Sequence, residues 1–276
     1  MNACSHTNQT RRYGLIGYPI AHSGSPALFH KAYGGKWAYD LIETPSFEQA
    51  WERFLEGYDA INVTAPFKEL AAARADIKSP EVLAIGAANI AVKTRCGVKV
   101  FNSDYLGVRM LLEELSGAGA VAPGPAAEGK GDGMAARVLV VGFGGAGKAA
   151  AAAARDLGLE TTVCNRSDHG NPSVRPLSEM ASVDADLLIY TLPMRIPEVE
   201  DWLKVHPQAT ILEANYRDPV LAPTFPADNP ATRTASTSVP ADAKPSLGYR
   251  YIPGERWLLA QAITGYELLT GEKPLL

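Results

Sequence analysis

Short runs of consecutive apolar, β-favouring residues alternate with stretches of helical spacing along the whole chain, the pattern that packs helices on a largely parallel sheet. The class this predicts is α/β. In the first half, strands are expected at Tyr13 to Gly17, Trp37 to Glu43 and Ala60 to Thr64, with a hairpin from Asn89 to Phe101 turning near Gly97. Helices are expected at Pro26 to Tyr33, Ser46 to Leu55, Phe67 to Arg74 and Tyr105 to Leu115. Ser46 would cap the second of these, with Gln49 completing a capping box.

Ser116 to Ala136 breaks the pattern. It is built of Gly, Ala and Pro with only Val and Met as larger apolar residues, so it buries little surface and reads as a linker or mobile loop. Arg137 to Val141 is then an almost pure β run, followed by glycines and an alanine-rich helix from Ala146 to Leu157. Further strands are expected at Thr161 to Cys164, Leu187 to Tyr190 and Thr210 to Ala214. Ala222 to Ser246, dense in Pro, Ala, Thr and Ser, reads as a long loop before a last helix from Glu255 to Thr270. The chain therefore divides into a first domain, 1–116, and a second that starts at 137, with 117–136 as the linker.

Composition narrows the partners. With 46% hydrophobic and 20% charged residues among 276, the chain is globular, and a net charge of −4 supplies no sequence-wide attraction to nucleic acid or anionic lipid. Cys4, Cys96 and Cys164 lie far apart without a C-x-x-C spacing, which fits a reduced cytosol rather than a secreted disulfide framework. The polar N-terminus has no apolar stretch of signal-peptide length, and no later segment is long and apolar enough to span a bilayer. A cytoplasmic protein is expected, with no nucleic acid and no membrane as partner, and with monomer or homodimer both open. The five histidines include no pair at helical ligand spacing, so no metal is expected.

Val138 to Gly147 sets G-x-G-x-x-G between a strand and a helix, the context a dinucleotide fingerprint requires. Gly142 permits the turn, Gly144 lets backbone approach a pyrophosphate, Gly147 allows close helix packing, and the helix start attracts the anion. Gly145 and Ala146 complete that loop. Gly142 to Lys148 also fits the opening of a P-loop, but Ala149 stands where a Ser or Thr hydroxyl should hold magnesium. A plain glycine turn that merely connects strand to helix is the second alternative, ahead of the P-loop. At the end of the next strand, Asn165, Arg166 and Ser167 stand where an acid would mark NAD; a guanidinium and a hydroxyl suit a 2′-phosphate, which favours NADP. A solvated loop charge is the bland alternative for Arg166, and Asp168 is the alternative ribose ligand.

Two polar strand ends carry the candidate chemistry. Asn62 to Lys68 delivers a lysine to a helix start, where its charge opposes the macrodipole, so stability alone does not explain it. Asn102-Ser103-Asp104 follows another strand. If both face one cleft, Lys68 and Asp104 form a pair able to donate and accept a proton; taken singly, each is ordinarily a surface lysine or a capping aspartate. Ser25 reads as an N-cap with Pro26 at the first helical position, and with Ser23 it offers two hydroxyls near amide donors as a seat for a carboxylate.

The runs Y-G-L-I-G-Y-P-I-A-H-S-G-S-P, I-N-V-T-A-P-F-K-E, I-G-A-A-N, F-N-S-D-Y-L-G, V-V-G-F-G-G-A-G, C-N-R-S and L-L-A-Q-A, in this order and spacing, resemble the shikimate dehydrogenase family. The resemblance covers about Tyr13 to Gly271, apart from the linker and the Pro-rich loop. It implies an N-terminal α/β substrate domain (1–116) completed by the C-terminal helix (253–276), a Rossmann-type NADP-binding domain (137–252), and reversible reduction of 3-dehydroshikimate to shikimate by NADPH. It further implies that Lys68 and Asp104 are catalytic. Ser23 and Ser25, helped by Tyr216, would hold the substrate carboxylate, and Asn62, Thr64, Asn89, Asp104 and Gln261 the ring hydroxyls. Thr191, Leu192, Pro193 and Met194 would wall the nicotinamide, with Gly254 nearby.

This sequence departs from the family pattern at Gly24, where a lysine is usual, in the segment Tyr190 to Met194, and at Glu213-Ala214-Asn215-Tyr216. It departs again at Pro253 to Leu258, where Trp257 replaces a methionine beside the nicotinamide. A quinate or related cyclic hydroxy-acid dehydrogenase, and a non-catalytic shikimate-binding module, are the alternative functions.

Overall fold

In the computed structural model, residues 11–117, 136–168, 170–222 and 250–276 are described. Apart from residues 117, 136 and 222, the expected linker and Pro-rich loop lie outside them, as do Cys4, His6 and His169. The chain forms two units, Met1–Gly107 with Leu259–Leu276, and Val108–Leu258. The divisions fall inside two helices rather than at their ends.

The elements of the first part of the chain are β1 (Arg12–Gly17), α1 (Ser25–Tyr33), β2 (Ala38–Glu43), α2 (Phe47–Gly57), β3 (Ala60–Val63), α3 (Lys68–Arg74), β4 (Ile77–Lys78), α4 (Pro80–Ile85), β5 (Ile90–Thr94), β6 (Gly97–Phe101) and α5 (Ser103–Gly117). Six strands order as β2-β1-β3-β5-β6-β4. The sheet is less parallel than the alternation suggests. β1 pairs parallel with β2 and β3, but β5 runs antiparallel to β3, and the hairpin turn through Gly97, at φ +110°, sends the chain straight back so that β6 is antiparallel to β5.

Two caps differ from expectation. Gly24, not Ser25, is the N-cap of α1; Ser25 is its first residue, and the Ser25 amide donates to Ser23 Oγ at 3.2 Å. Ser46 Oγ does accept from the Gln49 amide at 3.3 Å, yet the reciprocal half of the capping box belongs to Thr44. Its Oγ1 takes the Ser46 amide and donates to the Gln49 side-chain carbonyl. The short β4 and α4 are not among the expected elements, since two strand residues and six helical ones carry too little periodicity to register.

Two apolar cores flank this sheet. One packs Trp51 and Phe54 of α2 with Ile61, Phe67 and Val100. In the other, Tyr13, Phe29 and Ile90 meet Ala262, Tyr266 and Leu269 from the last helix, and Phe29 stacks edge-on against Tyr266 at 5.2 Å. Burial pushes the Tyr266 phenol above its ordinary range.

The later elements are β7 (Arg137–Val141), α6 (Gly145–Asp156), β8 (Glu160–Asn165), β9 (Val174–Pro176), a 3-10 turn at Leu177–Ser182, β10 (Leu187–Tyr190), α7 (Pro197–Val205), β11 (Thr210–Glu213), β12 (Arg250–Ile252) and α8 (Gly254–Thr270). Their sheet is parallel throughout and ordered β12-β11-β10-β7-β8-β9. This is the Rossmann-type order, whose direction of winding reverses between β7 and β10. The α7 helix is not among the expected elements, although Pro197 at its start and the three-residue spacing of Val199 and Trp202 carry its signal.

Trp202 anchors this core. It is fully buried, donates Nε1–H to the Val183 carbonyl at 2.7 Å and stacks on His206 at 4.1 Å. Trp202→Ala is expected to cost about 3–5 kcal/mol by leaving a large cavity, read as a lowered midpoint of denaturant unfolding. An unchanged midpoint would mean that this core is not what holds the sheet. Among the described residues, no helix is long and apolar enough to cross a membrane.

Candidate active site and dinucleotide cradle

Strand direction decides which residues meet. β1 and β3 are parallel neighbours, so the segments after Gly17 and Val63 leave from one edge of the sheet. β5 runs the other way, so it starts at that edge, with Ile90 opposite Asn62; β6 returns and ends there, with Phe101 opposite Ile90. Ser23, Ser25, Asn62, Thr64, Lys68, Asn89 and Asp104 all belong to these edge segments. Parallel sheets place their sites outside the carboxyl ends of strands for this reason.

Backbone hydrogen bonds lock the segments together. The Thr64 amide donates to the Ile16 carbonyl at 2.9 Å, Val63 to Asn89 at 2.8 Å, and Ala88 to Lys68 at 2.9 Å. A Cβ on Gly17 would overlap the methyls of Thr64 and Ile20 and crowd the Ala65 carbonyl, so glycine lets these two strand ends close without shifting those side chains.

The Lys68 ammonium, on the first residue of α3, donates to Asp104 Oδ2 at 2.7 Å; Asp104 is the second residue of α5. Their side chains are 29% and 15% exposed, which is open enough for a ligand and dry enough to strengthen the pair. Ser23 Oγ and Ser25 Oγ lie 3.0 Å apart. Asn62 Nδ2 donates to the Asn89 carbonyl at 3.4 Å, while Asn89 Oδ1 accepts from the Ser103 amide at 2.7 Å, so Asn89 is also structural. Gln261 lies on α8 against Gly107 of α5, where any Cβ would run into the Gln261 backbone.

One residue here escapes sequence reasoning. Tyr39 of β2 donates its hydroxyl to Asn62 Oδ1 at 2.7 Å, which turns the Asn62 amide group toward Asn89. Burial raises the Tyr39 phenol well above its ordinary value, an effect that its hydrogen bond with Ser25 partly offsets, so it remains a neutral donor. The alternation of β2 gave only its place in a strand.

In the other unit two of the fingerprint glycines, Gly142 and Gly147, have no spare room. Gly142 has φ +101°, and a Cβ there would strike Thr191 Oγ1; a Cβ on Gly147 would fall on the Gly142 carbonyl. Thr191 donates from both its amide and its Oγ1 to the Val141 carbonyl at 2.9 Å, which ties β10 to the end of β7 at the point where winding reverses. Gly144 caps α6 without a side-chain bond, and open space surrounds Gly144 and Gly145. Bare helix-start amides facing such space fit a pyrophosphate, so the residues present suit a dinucleotide.

Around that turn, Asn165 Nδ2 donates to the Ser167 carbonyl at 2.8 Å and shapes the loop that presents Arg166. Arg166 is exposed, with Nη2 4.0 Å from Met194 Sδ. Asp168 uses Oδ1 to accept the Gly170 amide, a turn-forming task. Leu192 lies beside Gly142, while Pro193 and Met194 are exposed. The Tyr190 phenol donates to the Met194 carbonyl at 2.6 Å and burial pushes its pKa to about 12.

Tyr216 is 36% exposed on the loop after β11. Gly254 packs so tightly under Ala214 to Tyr216 that a Cβ would overlap their backbone, a local reason for glycine there. Trp257 is buried. Among the described residues, no group of three or more His, Cys, Asp or Glu could hold a metal ion.

Residues 15–91 match the shikimate dehydrogenase substrate binding domain. The chain is 36% identical over 115 residues to the shikimate dehydrogenase (NADP(+)) of Anaeromyxobacter sp. (strain K), a stretch covering 39% of this chain and 41% of that one. The match thus spans about two fifths of that relative's length. Over almost the whole chain the fold is that of the shikimate 5-dehydrogenase of Thermus thermophilus, solved in complex with NADP(H) and shikimate: TM-score 0.67, 28% identity, 96% of this chain and 95% of that one. The shikimate dehydrogenase of Mycobacterium tuberculosis gives a TM-score of 0.62 at 27% identity, again covering 96% and 95%. Residues 15–91 therefore match the shikimate dehydrogenase substrate binding domain, and the chain carrying them has the fold of the solved shikimate dehydrogenases.

Proposed function

We propose that this protein is an NADP-dependent shikimate dehydrogenase, reducing the ketone of 3-dehydroshikimate to the hydroxyl of shikimate and catalysing the reverse oxidation. The observation that carries this reading is the 2.7 Å contact between Lys68 Nζ and Asp104 Oδ2, set at the sheet edge among hydroxyl and amide side chains suited to a polyhydroxylated ring acid. The Thermus complex, with both ligands bound, supports the choice of substrate and cofactor.

In this reading Ser23 and Ser25, with Tyr216, hold the substrate carboxylate, and Asn62, Thr64, Asn89, Asp104 and Gln261 meet the ring hydroxyls. Bound NADPH supplies the hydride that reaches the ketone carbon. Lys68 stabilises the oxygen as negative charge develops on it and gives up a proton to it, after which the neutral amine recovers a proton from solvent. An ammonium has three donors; Asp104 takes one and so aims the others. Gly142, Gly144, Gly145, Ala146 and Gly147 would hold the pyrophosphate, Asn165, Arg166 and Ser167 the 2′-phosphate, and Thr191, Leu192, Pro193, Met194 and Gly254 the nicotinamide.

Initial rates for shikimate and quinate, each with NADP and with NAD, test this directly. Shikimate with NADP is expected to be the fastest pair. Turnover with no pair would end the reading, and shikimate binding without turnover would favour a binding module. Arg166→Ala is expected to weaken NADPH about 10-fold to 100-fold, the worth of a charged hydrogen bond to phosphate, while leaving NADH nearly unchanged. Equal losses for both cofactors would remove Arg166 from the phosphate.

A further inference from the structure

Among the described residues two carboxylates are buried, Glu81 and Glu213. Burying an acid is costly unless its oxygens are engaged, so each has a structural or functional reason. Glu213 accepts from the Val220 and Leu221 amides and the Tyr251 hydroxyl, which accounts for it as the clasp of the loop after β11. Glu81 acts on a different target.

Glu81 lies in α4, 8% exposed, and its Oε1 accepts from Ser79 Oγ and, at 3.2 Å, from the backbone amide of Asn102. Asn102 immediately precedes α5, and its carbonyl accepts the Leu106 amide at 3.2 Å. Helix starts leave their first amides without intrahelical acceptors, and here those amides are met from several segments. Glu81 takes Asn102, Asn89 Oδ1 takes Ser103 at 2.7 Å, and Asn102 Oδ1 takes Tyr105 at 3.1 Å. Asn102 is itself anchored by donating Nδ2–H to the Ala87 carbonyl at 3.0 Å. Asp104 stands inside this clamp, between the Ser103 and Tyr105 amides.

We propose that Glu81 is a positioning residue for the Lys68–Asp104 pair. It accepts the Asn102 amide from α4, and so fixes the start of α5 and with it the point from which Asp104 reaches Lys68. A buried carboxylate suits the task because it accepts two donors at one oxygen and complements the positive end of a helix. Its importance for turnover rests on the function proposed above; its effect on the geometry of the pair does not.

The test compares Glu81→Ala, Glu81→Asp and Glu81→Gln. Alanine leaves the Asn102 amide unmet. Aspartate keeps the charge but draws the carboxylate back by one methylene, and glutamine keeps an acceptor oxygen at the original reach. Misplacing a reacting group by about 1 Å can cost about 10²-fold, so alanine and aspartate are expected to lower kcat about 10-fold to 100-fold with the KM for NADP unchanged. Glutamine is expected to restore most of kcat. Crystal structures of the variants should show Lys68 Nζ and Asp104 Oδ2 parted beyond salt-bridge reach, about 4 Å, with alanine or aspartate but not with glutamine.

A lowered melting temperature with kcat intact, or an undisturbed pair in the alanine and aspartate structures, would overturn the proposal. If the alanine variant does not fold, the aspartate variant decides by the same readouts. If the parent enzyme turns over no ring acid, the proposed function fails, and the separations in the crystals still decide the role of Glu81.

Discussion

Lys68→Ala is expected to lower kcat for shikimate oxidation about 10²-fold to 10⁴-fold, the usual contribution of a positioned acid or base, with a smaller change in KM. The expectation follows from where the ammonium sits. It opens α3, where its charge opposes the helix dipole, and its bond to Asp104 fixes it at the edge where the hydroxyl and amide side chains gather. Stability should therefore change little, because a partly exposed pair contributes about 1 kcal/mol at most and the unfavourable charge at the helix start is removed with it. Lys68→Arg should not rescue turnover, since a guanidinium stays charged and cannot pass on its proton. A Lys68→Ala enzyme with parental kcat would take the residue out of the mechanism.

Gly147→Ala is expected to abolish measurable NADPH binding and to destabilise its unit by about 1–3 kcal/mol or more, the usual cost of overpacking. The added methyl would fall on the carbonyl of Gly142, which is backbone and cannot swing aside as a side chain could. Gly142 has little room to retreat, held at φ +101° against Thr191. Gly145→Ala is the informative comparison, because open space surrounds that position and the fold should survive it. Fluorescence titration with NADPH and denaturant unfolding of both variants separate the two effects. Parental binding by Gly147→Ala would mean that the tight turn is not the cofactor cradle.

How much of this is legible in the sequence follows from the physics of each signal. The strand and helix around the fingerprint were plain because both buried faces of a parallel strand read as one apolar run, as in Arg137 to Val141. The chemistry was legible as separate polar strand ends at Asn62 to Lys68 and Asn102 to Asp104. Their meeting was not, because it depends on β5 running antiparallel, a property of pairing rather than of local sequence. Tyr39 and Glu81 were invisible for a related reason. A tyrosine in an alternating strand and a glutamate near a proline look ordinary until the partners at Asn62 and Asn102, far along the chain, are brought beside them. Caps failed at the finest scale: Ser25 and Gln49 have the right residue types, but Ser23 and Thr44 supply the competing oxygens.

The most direct measurement is the fate of isotope in a single conversion. NADPH carrying deuterium at both positions of nicotinamide C4, incubated with 3-dehydroshikimate and this protein, should yield shikimate with one deuterium on the former ketone carbon, seen by NMR and mass spectrometry. Shikimate formed without that deuterium, or no product alongside intact NADPH, would show that the chain does not move hydride from this cofactor to this ring.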